Sequence, residues 1–345
     1  MSTNNIIKRL EVSNIISETN DARTFELKPL DGWKPEYQAG QFVTLVFNTR
    51  HGEKRRSYSI SSSPLLNEPL AITIKKIDNG EFSRLLVYHT KPGDILYSSG
   101  IGGFFLLPKD TNAVKQYFFL AAGSGITPCY GMIKTILAKS NSMVVLIYSN
   151  RTEADTIFYN QLQRLNAVYP ERLIIHYLFS NLLDVYRSRL GNWLLHEFLN
   201  KYLQDEHHAK FYVCGPFDYM HMVGLGLAAR IPAENIHKEN FSSLPRLFIP
   251  RPPDTDEHKV TIHFSGQEFI IPVQYPATIL AAAKAKGIQL PFSCEAGRCG
   301  SCATTCTKGK IWMAYNEVLT NDEVEAGRAL ICQSFPVGGD VIIEF

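Results

Sequence analysis

Cys294-Glu295-Ala296-Gly297-Arg298-Cys299-Gly300-Ser301-Cys302, answered far downstream by Cys332 in Leu330-Ile331-Cys332-Gln333, is the stretch on which the reading of this chain turns. The spacing C-x4-C-x2-C followed by one distant cysteine supplies four soft anionic sulfurs, the ligand set of a cluster of two irons and two sulfides. A loop that wraps three cysteines around one centre must turn backbone N–H groups inward, so the residues between them must be small or tolerate positive φ. Ala296, Gly297, Gly300, Ser301 and Ala303 meet that demand. Cys294, Cys299, Cys302 and Cys332 are therefore the expected metal ligands. Cys306 breaks the spacing and reads as a small, partly buried thiol. Zinc is the weaker alternative, because zinc sites usually show two close pairs of ligands and the distal half here supplies one cysteine. Disulfides need an oxidising compartment, and nothing in the chain suggests export.

The residues around this loop have a readable order. Val260-Thr-Ile-His-Phe and Phe269-Ile-Ile-Pro-Val flank Ser265-Gly266 as a hairpin, and Thr278 is an N-cap candidate before the helix-forming run from Ile279, which Gly287 stops. Residues from about His258 to Phe345 resemble a plant-type ferredoxin domain, which implies a β-grasp α+β fold.

Upstream, from Ile6 to about Pro108, short runs such as Thr24-Phe-Glu-Leu-Lys, Gln41-Phe-Val-Thr-Leu-Val-Phe and Leu70-Ala-Ile-Thr-Ile-Lys alternate with turn residues. Such spacing predicts a small antiparallel β-barrel, interrupted by one helix over Glu81–His89. Within it, Arg55-Arg56-Ser57-Tyr58-Ser59-Ile60 places Arg56, Tyr58 and Ile60 on one strand face and Ser57 and Ser59 on the other. Read alone, this is a barrel strand with an exposed arginine and a packed tyrosine. The segment Arg56-Ser57-Tyr58-Ser59 nevertheless resembles the R-x-Y-[ST] motif of the ferredoxin–NADP reductase superfamily. That resemblance implies FAD, with Arg56 on the pyrophosphate, Tyr58 against the isoalloxazine and Ser59 near its N5 atom. Gly80-Glu81-Phe82-Ser83 looks like the second pyrophosphate site, at a helix N-terminus. Gly100-Ile101-Gly102-Gly103-Phe104 is similar to the P-x-G-x-F turn of the superfamily, with Gly100 in place of the proline.

From Lys115 the texture changes to alternating strands and helices. Tyr117-Phe-Phe-Leu-Ala-Ala is a continuous apolar run, and further strands follow at Met143–Tyr148, Leu173–Leu178 and Lys210–Cys214. This order predicts an α/β parallel-sheet nucleotide domain with ligands at the carboxyl ends of its strands. Gly123-Ser124-Gly125-Ile126-Thr127-Pro128 follows the first strand, and its glycines allow close approach of a pyrophosphate. It departs from G-x-G-x-x-G but matches the G-x-G-x-x-P nicotinamide site of the same superfamily. Cys214-Gly215-Pro216 resembles the C-G-P motif, which implies Cys214 beside the nicotinamide, with Tyr219 at the position usually held by methionine. At the end of the second strand, Ser149-Asn150-Arg151 offers an arginine to a 2′-phosphate and no acid to a ribose diol, so NADPH is expected in preference to NADH. Glu239-Asn240-Phe241 looks like the segment that closes the nucleotide domain, where relatives place an aromatic near the flavin.

The 345 residues are enough for two or three domains with cores of their own, and a formal net charge of +2 gives no reason to expect nucleic acid. No apolar run is long enough to cross a bilayer and no signal peptide is evident, so a cytoplasmic, non-membrane protein is expected. The expected organisation is an FAD-binding barrel over residues 1–109, an NAD(P)-binding domain over 110–243, a proline-rich linker over 244–257 and a ferredoxin domain over 258–345. That order resembles the reductases of multicomponent oxygenases, and most of all those of phenylacetyl-CoA epoxidases. It implies an oxidoreductase that passes electrons from NADPH through FAD and the cluster to an oxygenase or epoxidase component. The candidate catalytic residues are Tyr58, Ser59 and Cys214. A dioxygenase, a desaturase or a hybrid-cluster protein is the alternative acceptor, and a metal-binding sensor or interaction module without turnover is the alternative of another class.

Overall fold

A computed structural model describes residues 7–50, 52–184, 186–241 and 250–345. The chain forms two compact units. The first comprises residues up to Gly52, Tyr58–Ile101 and Phe105–Asn240; the second comprises Glu53–Ser57, Gly102–Phe104 and the chain from Phe241 on.

The expected barrel is built from β1 (Lys8–Thr19), β2 (Ala22–Pro29), β3 (Phe42–Thr49), β4 (Gly52–Ser59), β5 (Leu70–Lys75), α1 (Glu81–His89) and β6 (Ile95–Gly102); of these, Glu53–Ser57 and Gly102 count with the second unit and the rest with the first. The strands run β4-β3-β6-β1-β2-β5, and an antiparallel bridge from Ile60 to Ile72 joins the two ends of the sheet. Alternating apolar residues, among them Leu10, Val12, Phe25, Leu27, Val43 and Leu45, fill its interior together with Leu86 and Val87 of α1.

The first unit continues through β7 (Gln116–Ala122), α2 (Ile126–Lys139), β8 (Met143–Asn150), α3 (Tyr159–Val168), β9 (Leu173–Phe179), α4 (Asn192–Tyr202), β10 (Ala209–Cys214), α5 (Phe217–Ala228) and β11 (Ile236–Glu239). All five strands are parallel in the order β11-β10-β7-β8-β9. The chain starts in the middle, at β7, winds outward through β8 and β9, then returns to the other side. The reversal therefore falls between β7 and β10, and a crevice opens outside their carboxyl ends. β7 is buried along its whole length, as its unbroken apolar run requires. β11 adds a strand to those expected from the sequence, because its four residues are too few to show a period.

The second unit contains β12 (His258–Phe264), β13 (Gln267–Val273), α6 (Ile279–Ala285), β14 (Ala303–Lys308), β15 (Ile311–Met313), α7 (Asn321–Glu325), β16 (Arg328–Leu330), β17 (Ser334–Pro336) and β18 (Val341–Glu344). Its main sheet runs β13-β12-β18-β14-β16, with β12 and β18 parallel, and α6 buries Ile279, Leu280 and Ala283 against it. The hairpin turns on Ser265 and Gly266, both at positive φ, and the Thr278 hydroxyl caps α6 by accepting from the Ala281 N–H at 3.2 Å. The expected linker lies outside the described residues over 244–249. At its far end the Asp254 carboxylate accepts from the Gly338 and Asp256 N–H groups and from His258, which hold its pKa down at about 2.

Arg55, which the sequence leaves without a role, is buried within this second unit. Its guanidinium pairs with Glu53 Oε1 at 2.7 Å, donates to the carbonyls of Leu290 (3.4 Å) and Phe292 (3.5 Å), and lies 4.0 Å from the centroid of the Phe292 ring. Ser57 Oγ donates to Ser293 Oγ at 2.8 Å. Both contacts brace the residues that lead into Cys294. Replacing Arg55 with Ala leaves two carbonyls without their donor and is expected to cost about 2 kcal/mol. A lowered midpoint in thermal or denaturant unfolding is the result that supports this, and an unchanged one refutes it.

Candidate functional site

The crevice at the carboxyl ends of β7 and β10 is shaped by one backbone contact. Gly125 stands so close to the end of β10 that a Cβ built on it would lie 2.0 Å from the Cys214 carbonyl oxygen and 2.9 Å from the Gly215 nitrogen. Only glycine permits the G-x-G turn and the C-G-P segment to meet. Tyr148 OH supports the turn from below by donating to the Gly123 carbonyl at 3.0 Å, and Thr127 Oγ1 donates to the Ser124 carbonyl at 2.8 Å. α2 begins at Ile126, with Pro128 in its first turn, where no N–H is needed. Lys75, which belongs to no motif in the sequence, reaches in from the end of β5. Its Nζ lies 3.8 Å from the position of a Cβ on Gly123, so a cation and a helix N-terminus face the same turn.

Cys214, Ser59 and Glu239 come together at one end of this crevice. Cys214 is fully buried, and burial pushes its thiol well up, so it is a small neutral wall rather than a nucleophile. Glu239 is the register partner of Cys214 across β10 and β11. Burial raises its pKa from 4.5 to about 8, the facing Ser59 hydroxyl opposes that rise, and Oε2 has no hydrogen-bond partner. At neutral pH Glu239 therefore carries a proton it can donate beside Ser59. In the sequence this glutamate stands out only as part of a closing segment; its role depends on strand pairing that no local pattern reveals. In β4, Tyr58 is half-buried against the barrel core, and Arg56 Nη1 donates to the Arg55 carbonyl at 2.7 Å. Gly80 is the N-cap residue of α1, but the Ser83 hydroxyl turns back on this loop, accepting from the Ile77 N–H and donating to the Gly80 carbonyl. Pro216 precedes α5, and a Cβ on Gly215 would stand 3.0 Å from both Ala122 and Tyr219.

Arg151 follows β8 directly, and its guanidinium is held by Asp155 through two hydrogen bonds, Nε to Oδ2 at 2.9 Å and Nη2 to Oδ1 at 3.1 Å. An acid does stand at this strand end, four residues beyond the arginine.

In the second unit the four cysteine thiols lie together, Cys294 facing Cys299, Cys302 facing Cys332, and Cys299 also acting on Cys302. The N–H groups of Ala296 and Arg298 point at Cys294 Sγ (3.4 and 3.5 Å), and that of Cys294 points at Cys299 Sγ (3.5 Å). The Cys299 thiol, joined by the N–H groups of Ala296, Arg298 and Cys299 and opposed by burial, pulls Cys294 down to about 6. Glu295, Gly297 and Gly300 take positive φ to make the turns. Among the described residues no three ligand-type side chains converge tightly enough for a single metal ion. Four gathered sulfurs, with N–H donors at Cys294 and Cys299, suit two irons, each with two cysteine ligands. Cys306 lies apart, its thiol directed at the Lys308 carbonyl.

Family models match the chain in three successive parts: an oxidoreductase FAD-binding domain over residues 9–105, an oxidoreductase NAD-binding domain over 119–224 and a 2Fe-2S iron-sulfur cluster binding domain over 262–337. The chain is 32% identical to the ferredoxin reductase component of 3-ketosteroid-9-alpha-monooxygenase from Mycobacterium tuberculosis, over 98% of this chain and 96% of that one.

The chain belongs to the ferredoxin–NADP reductase superfamily.

This reductase carries the ferredoxin domain at its carboxyl end and is an oxidoreductase with FAD-, NAD- and 2Fe-2S-binding domains. It is also 32% identical to one of the subunits of 1,2-phenylacetyl-CoA epoxidase from Escherichia coli K12, over 97% of each chain. Its fold matches phthalate dioxygenase reductase with a TM-score of 0.61 at 23% identity, over 98% of both chains. Among the described residues no helix of the reductase is long and apolar enough to cross a membrane.

The buried Glu239 carboxyl gives this reductase a pH signature. Its folded pKa of about 8 lies above the ordinary 4.5, so between these values the unfolded chain has released the proton that the folded chain keeps. Stability due to this group must therefore fall as pH rises through that window. Thermal unfolding of wild type and Glu239→Gln across the window is expected to show the variant gaining on wild type toward about pH 8. A difference that does not vary with pH would refute the buried neutral acid.

Proposed function

We propose that this reductase takes a hydride from a reduced nicotinamide nucleotide and delivers electrons one at a time to a terminal oxygenase component, with phenylacetyl-CoA epoxidase as the first acceptor. Flavin is assigned to residues 1–109, nucleotide to 110–243 and the cluster to 258–345. The observation that carries the reading is the pairing of Cys294 with Cys299 and of Cys302 with Cys332 in a chain whose preceding parts belong to FAD- and NAD-binding families. When bound, FAD supplies the exchange between a two-electron donor and one-electron carriers, and the cluster supplies one-electron carriage.

The residues of the chain do the rest. Arg56, Ser57, Tyr58 and Ser59 of β4, with Gly80 and Ser83 at α1, are assigned to the flavin. Gly123, Gly125, Thr127 and Pro128, with Cys214, Gly215 and Pro216, are assigned to the nucleotide, and Lys75 would hold its phosphates over the glycine turn. The burial of Cys214 keeps water from that end of the crevice. Glu239 holds a proton at a carboxyl oxygen facing Ser59 and steadies the hydroxyl.

The acceptor assignment draws on the relatives named as oxygenase components. The ketosteroid monooxygenase reductase matches this chain at the same identity as the epoxidase protein, so a ketosteroid monooxygenase is the second acceptor to assay.

Iron and acid-labile sulfide analysis tests the cluster. Wild type and Cys306→Ser are expected to hold about two of each per chain, and Cys332→Ser to lose them. Wild type without sulfide, or Cys332→Ser with a full complement, contradicts the assignment. Turnover with purified oxygenase components then decides the acceptor: acceptance by the epoxidase supports the first choice, and acceptance by the ketosteroid monooxygenase alone replaces it.

A further inference from the structure

The geometry points to Asp155 as the residue that sets the choice of nucleotide donor, favouring NADH by occupying the guanidinium face of Arg151 that a 2′-phosphate would need. This rests on the reading of the crevice as a nicotinamide nucleotide site.

Arg151 is the first residue beyond β8, the strand reached by the first crossover after the glycine turn. At this strand end a parallel nucleotide-binding sheet reads the adenosine ribose: a carboxylate there accepts from the free 2′-hydroxyl, and an arginine there takes a 2′-phosphate. This chain has both groups, and they neutralise each other. The two hydrogen bonds from Arg151 use both carboxylate oxygens.

Asp155 is the better anchored partner. Its Oδ2 also accepts from Thr152 Oγ1 at 2.7 Å, and its own N–H donates to the same hydroxyl at 3.2 Å. The Arg151 side chain is 75% exposed and that of Asp155 only 23%, so the arginine is free to swing and the carboxylate is not. Should a phosphate draw the guanidinium out of this exposed pair, which contributes little stability, Asp155 still opposes it. The carboxylate would remain behind and repel the phosphate. A ribose diol meets no such repulsion and finds an acceptor. The Arg151 signal read in the sequence thus has an opposing charge four residues on, which the strand-end turn folds back onto it.

The test uses the full-length reductase and two readouts. Binding of 2′,5′-ADP and of 5′-ADP is measured by calorimetry, and kcat/KM is measured with NADPH and NADH against an artificial electron acceptor. Wild type is expected to favour NADH. Asp155→Asn, which keeps the size and the Thr152 contact, is expected to shift both ratios toward the 2′-phosphate by about tenfold or more. The double variant Asp155→Asn with Arg151→Ala is expected to lose that gain. A wild type that prefers NADPH, or ratios unmoved in Asp155→Asn, overturns the inference and leaves the reductase reading standing; Asp155 is then a turn-forming residue. Failure of wild type to oxidise either nucleotide overturns the reductase reading, and the inference with it.

Discussion

The structure depends on a place where two backbones nearly touch. With a Cβ at Gly125 excluded by the Cys214 carbonyl, the turn after β7 and the end of β10 close onto each other at the reversal point of the sheet. What gathers there follows from the topology. Strand ends bring the helix N-terminus of α2, Cys214 and, through one further parallel strand, Glu239 to a single crevice, and the end of β5 adds Lys75. A larger residue at position 125 would part the two segments, and the glycine-turn and Cys214-Gly215-Pro216 motifs would no longer share a site.

The second unit solves a different problem, the gathering of four anionic sulfurs. Short spacing places Cys299 and Cys302 near Cys294, positive φ at Glu295, Gly297 and Gly300 turns N–H groups toward sulfur, and β16 returns the chain so that Cys332 meets Cys302. Four sulfurs gathered in this way suit the 2Fe-2S cluster of the matching family. Arg55 adds support from β4: a buried cation that satisfies two carbonyls just ahead of Cys294 steadies the entry to the loop.

What was legible in the sequence follows from the range of the interactions involved. The cysteine loop, the helix over Glu81–His89, the cap at Thr278 and the strand–helix alternation from β7 to β10 are local patterns, and each lies where or close to where its pattern placed it. Other features depend on contacts between distant segments. β11 has four residues and no period, yet it delivers Glu239. Lys75 ends a barrel strand and acquires its meaning only from the glycine turn it reaches. Arg55 precedes the motif and has no role in its alternation, and its burial depends on Leu290 and Phe292. Asp155 lies near Arg151 in sequence, but nothing in the spacing says that the turn folds one back on the other. Motif residues were thus visible, and the groups that set their charge were not.

The central claim is that one chain carries electrons from a nicotinamide nucleotide through flavin to a two-iron cluster. The measurement that bears on it most directly is an anaerobic absorbance titration of the purified holoprotein with reduced nicotinamide nucleotide. Bleaching of the flavin and iron–sulfur bands together, at a stoichiometry that fills both centres, is the predicted result. Bleaching of the flavin beside an absent or unchanged cluster spectrum would contradict the account and leave a flavin reductase whose carboxyl-terminal domain does something else.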